Sequence, residues 1–302
     1  MDTFLYPADW SGCRFLACRA TCQIALHPKD DGTLPRWQSC HNSRQRDTIG
    51  LREECMAHRA VGAACHIGTS GWVYRHWRGV FYPWHLSGEQ WLPHYAARFD
   101  TVELNNSFYR LPSESAFQRW KEDAPAGFTY AVKASRYITH MKKLAGVEEA
   151  LPRFVERSRL LGDRLGPILY QLPPFWQCNT DRLRAFLGLL PSDVRHVFEF
   201  RHVSWLNEAV LSLLEAYGAA LCIVSLPEFP CLLRATAPFV YIRLHGAEAK
   251  YGSCYSEREL EWWAEQILSF LYDGKDVYAY FNNDACAYAV QNALRLRELT
   301  SP

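Results

Sequence analysis

The sequence predicts an α/β fold, a (β/α)8 TIM barrel, over residues 66–302. Two observations carry that expectation. From His66 onward, eight short apolar or β-branched runs alternate with longer segments of helical period. The first run leads into Gly68-Thr69-Ser70-Gly71-Trp72, only a weak imitation of the Gly-rich turn that an open doubly wound sheet would need there. In order, strands are expected at 66–69, 101–105, 128–133, 167–171, 196–200, 220–225, 239–245 and 276–281. Helices are expected at 87–98, 113–121, 151–161, 181–189, 206–217, 257–271 and 288–297. In the first helix Trp91, Leu92, Tyr95 and Phe99 form an apolar stripe, and Ser113 is placed to cap the second.

Composition bounds the function. Lys plus Arg number 33 against 32 Asp plus Glu in 302 residues, so bulk charge does not hold this chain on nucleic acid or membrane. No apolar run approaches the roughly 18–20 residues of a membrane span. The start, Met1-Asp2-Thr3-Phe4, shows no basic segment followed by an apolar one, so a cytoplasmic protein is expected.

Residues 1–65 read as an atypical N-terminal extension outside the barrel domain, poorly structured or not part of the fold. Its stretch from His27 to Thr48 is polar and lacks a sustained period. It holds six of the eleven cysteines: Cys13, Cys18, Cys22, Cys40, Cys55 and Cys65. An odd total without a secretion signal argues against a disulfide framework. Zinc held with His27, His41 or His58 is the sharper alternative, but the segment has no CxxC pair.

Within a parallel barrel, side chains alternate between the helix layer and the interior. That parity turns Thr101, Glu103 and Asn105 inward, opposite Val102 and Leu104. It turns Glu199 and Arg201 inward opposite Phe198 and Phe200, and Tyr241, Arg243 and His245 inward opposite Val240, Ile242 and Leu244. Lys133 and Gln171 follow by the same rule. The charged and amide groups gather toward the C-terminal strand ends, where barrel enzymes place their chemistry. Ion pairs such as Glu103 with Lys133 and Glu199 with Arg243 would account for part of the set. So many inward polar groups would still be costly to bury without a wet or ligand-filled cleft.

These residues carry a resemblance. The chain is similar to the DUF72, or YecE-like, family, from His66 to the C-terminus. The resemblance begins in Gly68-Thr69-Ser70-Gly71-Trp72 with Tyr74, Trp77, Gly79 and Phe81-Tyr82-Pro83, then Val102-Glu103-Leu104-Asn105-Asn106-Ser107-Phe108-Tyr109 and Pro112. It continues in Val132-Lys133-Ala134, Ile138-Thr139-His140, Gln171-Leu172-Pro173-Pro174, and Glu199-Phe200-Arg201-His202 with Trp205. It ends in Tyr241-Ile242-Arg243-Leu244-His245-Gly246 and Asn282-Asn283-Asp284. Asn106 stands where a small residue is expected, and Ser225-Leu226-Pro227 where an acid often follows the sixth strand. The resemblance implies a TIM barrel and leaves the reaction to be argued from the site.

Three chemistries fit the inward set. Glycoside hydrolysis would pair Glu103 with Glu199, using aromatics such as Trp72, Trp77 and Trp205 to stack on sugar. A metal-assisted phosphoesterase or nuclease would draw on Glu103, His140, Glu199, His245 and Asp284 for zinc or manganese. Against that reading, Lys133, Arg201 and Arg243 crowd the same mouth with positive charge. The expectation taken forward uses that charge: a small anionic, phosphate-bearing substrate clamped by cations and turned over by general acid/base chemistry. Its catalytic set is Glu103, Lys133, His140, Glu199 and His245. Its substrate-binding set is Thr69, Tyr74, Asn105, Tyr109, Gln171, Arg201, Trp205, Arg243, Asn282 and Asn283. No cofactor is required by the sequence. The non-catalytic alternative is a binder of an anionic ligand or nucleic acid, using a rim of Arg75, Arg78, Arg110, Arg136, Lys142 and Lys143.

Overall fold

A computed structural model describes residues 62–246 and 251–301. The extension expected at 1–65, and with it the zinc reading of its cysteines, lies outside the described residues up to 61. Cys65, assigned to that extension, opens the first strand instead.

Eight parallel strands form one sheet in the order β1-β8-β7-β6-β5-β4-β3-β2. They are β1 (Cys65–Thr69), β2 (Thr101–Leu104), β3 (Thr129–Lys133), β4 (Leu165–Gln171), β5 (His196–Glu199), β6 (Ala220–Ser225), β7 (Phe239–Leu244) and β8 (Asp276–Phe281). The α-helices between and after them are α1 (Trp91–Ala96), α2 (Asn106–Tyr109), α3 (Glu114–Asp123), α4 (Ala150–Arg159), α5 (Thr180–Leu187), α6 (Glu208–Ala216), α7 (Glu257–Tyr272) and α8 (Tyr288–Thr300). Every strand and helix expected from sequence is present within a few residues at each end. The short α2 was not anticipated, nor was the π-helical turn Tyr137–Met141. The link from β6 to β7 carries no helix. It is tied down instead by Thr236, whose hydroxyl accepts from the Leu221 amide at 2.8 Å and donates to the Ala219 carbonyl at 2.7 Å.

Capping fixes several helix starts. Ser113, Asn179, Asn207 and Ser256 each accept a backbone N–H of the first turn, and Ser256 forms a full capping box with Glu259. Outward strand residues such as Val102, Tyr130, Ile168, Phe198 and Ile242 pack under the helices in one continuous core. Inward residues form a second, smaller core of Ala131, Leu169, Val197, Cys222, Tyr241 and Tyr280. The period-two rule therefore holds around the barrel.

The barrel closes where β1 meets β2. The joint is a single parallel bridge, Ser70 to Glu103, at the C-terminal end. Just below it, a Cβ built on Gly68 would lie 2.3 Å from the Thr101 carbonyl oxygen, so only glycine lets the two backbones approach. The connection after β1 is anchored by fully buried Trp77 and Tyr82. Tyr82 stacks on Trp91 at 4.8 Å and donates to the Trp72 carbonyl at 2.6 Å.

Replacing Gly68 with Ala should force the joint apart and lower stability by about 1–3 kcal/mol. Chemical denaturation measures the loss. An unchanged midpoint would mean that the β1–β2 contact is not tight.

Candidate functional site

The top layer of the barrel interior is charged and interlocked. Arg243 rises from β7, fully buried, and reaches two carboxylates on different strands. Its Nη2 donates to Glu103 Oε1 at 2.7 Å and its Nη1 to Glu199 Oε2 at 2.7 Å. Both acids are themselves fully buried. The remaining carboxylate positions are also filled. Ser70 donates to Glu103 Oε1 at 2.5 Å and Tyr241 to Oε2 at 2.7 Å. Gln171 donates to Glu199 Oε1 at 2.9 Å, and Arg201 pairs with the same oxygen through Nε. Of the two ion pairs read from sequence, Glu199 with Arg243 is present; Glu103 pairs with Arg243 rather than Lys133.

Burial alone would push both carboxyls up, but their partners reverse it. Arg243, then Lys133, with Ser70 and Tyr241, hold the Glu103 carboxyl below its ordinary value. Arg201 and then Arg243 hold Glu199 well below. Burial likewise disfavours a charged Arg243, and the two glutamates overcome this. Neither carboxyl is therefore the raised-pKa acid that glycoside hydrolysis requires.

The nitrogen bases are shifted the other way. Burial, followed by Arg243 and Arg201, lowers the Lys133 amine to about 7 even though Glu199 and Glu103 oppose it. Its Nζ rests 4.3 Å from the centre of the Phe108 ring on α2. Among the described residues, Lys133 has no carboxylate within 4.0 Å. His140 meets the edge of the same ring at 5.0 Å and is lowered to about 4 by burial, Lys133 and Arg136. His245, buried beneath Arg201, is lowered to about 3 by burial despite its Glu199 contact. Arg201 Nη2 lies 2.9 Å from His245 Nε2, so that nitrogen accepts, and the Asn282 amide lies 3.1 Å from Nδ1.

The structure thus brings together Glu103, Lys133, Gln171, Glu199, Arg201, Arg243, His245 and Asn282, with His140 and half-buried Tyr74 at the edge. Asn105 joins through Ser70, donating to its Oγ at 2.5 Å. Tyr74 donates to the Ser70 carbonyl at 2.6 Å. Tyr109 stands out on the rim, 73% exposed. Three expected binding residues are not brought in. Thr69 turns to the helix layer, where its hydroxyl meets Gly71 O at 2.6 Å and the Tyr95 hydroxyl at 2.9 Å. Trp205 is fully buried, stacked on Phe200 at 5.0 Å and donating to the Trp176 carbonyl. Asn283 lies behind the mouth, donating to Ser253 O and Asn292 Oδ1. Trp72 and Trp77 are likewise core residues rather than stacking platforms.

Ser70 was missed as a functional residue, although it touches Glu103, Asn105 and Arg243 at once. The signal was the small residue inside Gly68-Thr69-Ser70-Gly71. Among the described residues no group of three or more His, Cys, Asp or Glu is arranged to hold a metal ion. Likewise among them, no helix is long and apolar enough to cross a membrane.

Comparison with known proteins follows the same span. The family model described as "Protein of unknown function DUF72" matches residues 66–302. The chain belongs to the DUF72 family. The UPF0759 protein YunF of Bacillus subtilis is 27% identical over 268 residues, covering 78% of this chain and 94% of that protein. A crystal structure of a DUF72 family protein from Thermotoga maritima shares 30% identity at a TM-score of 0.71, covering 78% of this chain and 98% of its own. A second DUF72 structure, from Enterococcus faecalis, has 20% identity and a TM-score of 0.70 over 78% and 95%, and supports the fold. The DUF72 match starts where the barrel does, at the first strand.

Two outcomes test the charged layer. Arg243→Met leaves two buried carboxylates without their common cation and should cost about 3–5 kcal/mol. Adding Glu103→Leu and Glu199→Leu should recover much of that loss in urea denaturation. A triple variant weaker than Arg243→Met would disprove the account.

The second concerns pH. The native pKa of Lys133, about 7, lies below the ~10.4 of an unfolded lysine, so the unfolded chain binds the extra proton between them. Its contribution to stability is complete above about pH 10.4 and is lost as pH falls through 7. Lys133→Met should therefore raise the melting temperature more at pH 6 than at pH 10, as scanning calorimetry would report.

Proposed function

We propose that this DUF72 barrel is an enzyme acting on a small anionic substrate at its C-terminal mouth, with Lys133 as the principal proton carrier. The observation that supports this is an asymmetry of engagement. Every oxygen of Glu103 and Glu199 is taken by a donor, whereas Lys133 has an aromatic ring for a neighbour and no carboxylate. An incoming anion completes the Lys133 environment. Arg201 uses Nε and Nη2 within the network, which leaves Nη1 for the ligand.

The carboxylates then act as anchors. They hold Arg243 and Arg201 in fixed orientation, and their depressed pKa values make them poor proton acceptors at neutral pH. Lys133, near 7, is matched to take and return a proton under the same conditions. His140, neutral at that pH, offers a ring nitrogen for a hydrogen bond rather than a base. A phosphate-bearing or carboxylate-bearing metabolite meets these demands, and the general acid/base reaction is hydrolysis or proton abstraction.

Isothermal titration with inorganic phosphate tests the binding half. Lys133→Met should weaken binding roughly tenfold or more, the loss of one charge-assisted hydrogen bond. Added NaCl should weaken the wild type less than it would a fully exposed cation cluster, because the site is partly buried. Equal affinity in wild type and Lys133→Met would refute the reading.

A second reading has its own observation. Large apolar side chains stand out on the loops that follow the strands: Trp84, Tyr109, Met141 and Phe175 are 74%, 73%, 65% and 95% exposed. Arg75, Arg110, Arg136 and Lys142 share those loops. This supports a single-stranded nucleic acid lying across the rim, with bases on the aromatic faces. Under that reading, Tyr109→Ala and Phe175→Ala reduce oligonucleotide binding measured by fluorescence anisotropy, while Lys133→Met barely changes it.

A further inference from the structure

We propose that Lys133 is a carbonyl-reactive amine, forming a reversible imine with a substrate of the 2-oxo acid class whose carboxylate is held by Arg201. This deepens the preceding reading and rests on it for the anion. It does not follow from that reading, because a lysine can clamp or carry protons without ever bonding to substrate.

The geometry points to a nucleophile. Lys133 is the last residue of β3, so its side chain enters the mouth within electrostatic reach of Glu103, Glu199 and Arg243. It is part-exposed, so a ligand reaches it, and its ammonium nitrogen lies over the Phe108 ring, which keeps water off one side. A lysine that served only as a structural counter-ion would sit on one of those glutamates. Here Arg243 has taken both, and it stands with Arg201 as a like charge beside the amine. Desolvation and a cationic neighbour are the two conditions that free a lysine for attack on a carbonyl.

The facing groups are Glu103 on β2, Glu199 and Arg201 at β5, Arg243 on β7, and His140 with Arg136 at the π-helical turn. With the amine at about 7, far below an ordinary lysine, a substantial share of it is unprotonated at neutral pH.

The step balances without any outside oxidant or reductant. The amine lone pair attacks the carbonyl carbon, a C–N bond forms, and the carbonyl π pair moves to oxygen. One proton passes from the new ammonium to the alkoxide by way of the neutral His140 ring, which ends as it began, and a carbinolamine results. A second proton, from solvent, lets its hydroxyl leave as water while the nitrogen lone pair closes the C=N bond. Arg201 Nη1 holds the carboxylate throughout. The protonated imine draws electrons from the adjacent carbon, which turns the site's acid/base groups toward chemistry next to the former carbonyl.

The test uses the full chain with glyoxylate and cyanoborohydride at pH 7, followed by peptide mass mapping. Cyanoborohydride reduces the imine to a stable carboxymethyl-lysine. Lys142 and Lys143, exposed on the same face, serve as internal controls within one wild-type sample, so the comparison does not depend on any variant folding. The expected result is carboxymethylation of Lys133 roughly tenfold or more faster than of the controls. Inorganic phosphate should slow it. Labelling of Lys133 no faster than the controls overturns the proposal.

Two further arms separate this failure from that of the preceding reading. If calorimetry shows phosphate binding but Lys133 stays unlabelled, the imine falls and the anion site stands. If neutral acetaldehyde labels Lys133 as fast as glyoxylate, and phosphate does not protect it, the amine is nucleophilic and the anion site falls. His140→Asn should slow labelling without abolishing it.

Discussion

A carboxylate buried inside a barrel costs several kcal/mol unless a cation meets it, and in this protein one guanidinium meets two. Glu103 and Glu199 stand on β2 and β5, which are three strands apart along the sheet. An ammonium, a compact point charge, could be centred on only one of them. The planar guanidinium of Arg243 gives one terminal nitrogen to each, at equal distances of 2.7 Å. That spans the interior and ties β2 and β5 together through β7. It also decides what is left over. Once Arg243 has both acids, Arg201 has only the shared oxygen of Glu199, and Lys133 has none.

The same pairing supports the weakest joint of the barrel. β1 and β2 meet through one bridge, and the bridging residues are Ser70 and Glu103. Ser70 Oγ bonds the carboxylate of its own bridge partner and also receives Arg243 at 3.1 Å. Closure of the fold and orientation of the site are therefore one set of contacts. Beneath it the interior turns apolar, and tyrosines make the transition. Tyr241 directs its hydroxyl to Glu103, and Tyr280 meets the Thr101 hydroxyl at 2.6 Å, while their rings pack 5.2 Å apart. The apolar layer supplies packing, and the polar layer above it supplies direction.

Much of this was legible because strand parity is a local rule. Given a strand at 101–105, the inward turn of Glu103 follows from Val102 and Leu104, and the same logic reached Lys133, Gln171, Glu199 and Arg243. What parity cannot give is pairing between strands. That Arg243, and not Lys133, takes Glu103 depends on barrel register and on side-chain reach, which belong to the closed fold. Ser70 is a residue past the end of β1, and the contacts of its hydroxyl lie 33 to 173 positions away in the chain. The loops were harder still. Trp205 belongs to the core because the turn Val203–Trp205 folds it back onto Phe200 and Trp176, and no period in the sequence announces that path. Thr69 marks the limit of motif reading: its neighbours Gly68 and Ser70 face the barrel interior, so strand alternation sends it to Tyr95.

The protonation logic follows from the pairing, and it inverts the usual division of labour in a barrel mouth. An enzyme carboxylate acts as a base when its surroundings make the proton welcome, by burial or by a second acid nearby. Here both acids are buried, yet each is surrounded by donors and cations, and both are driven below their ordinary range. The burial that their cations overcome is left uncompensated at the nitrogen bases. His245 and His140 are pushed to about 3 and about 4, and Lys133 to about 7. Of the side chains facing this mouth, those acids and the two imidazoles are each locked into one protonation state at neutral pH. The amine is poised between two. A change of protonation at this site is therefore a change at Lys133, and the remainder of the charged layer is the fixed field in which it occurs.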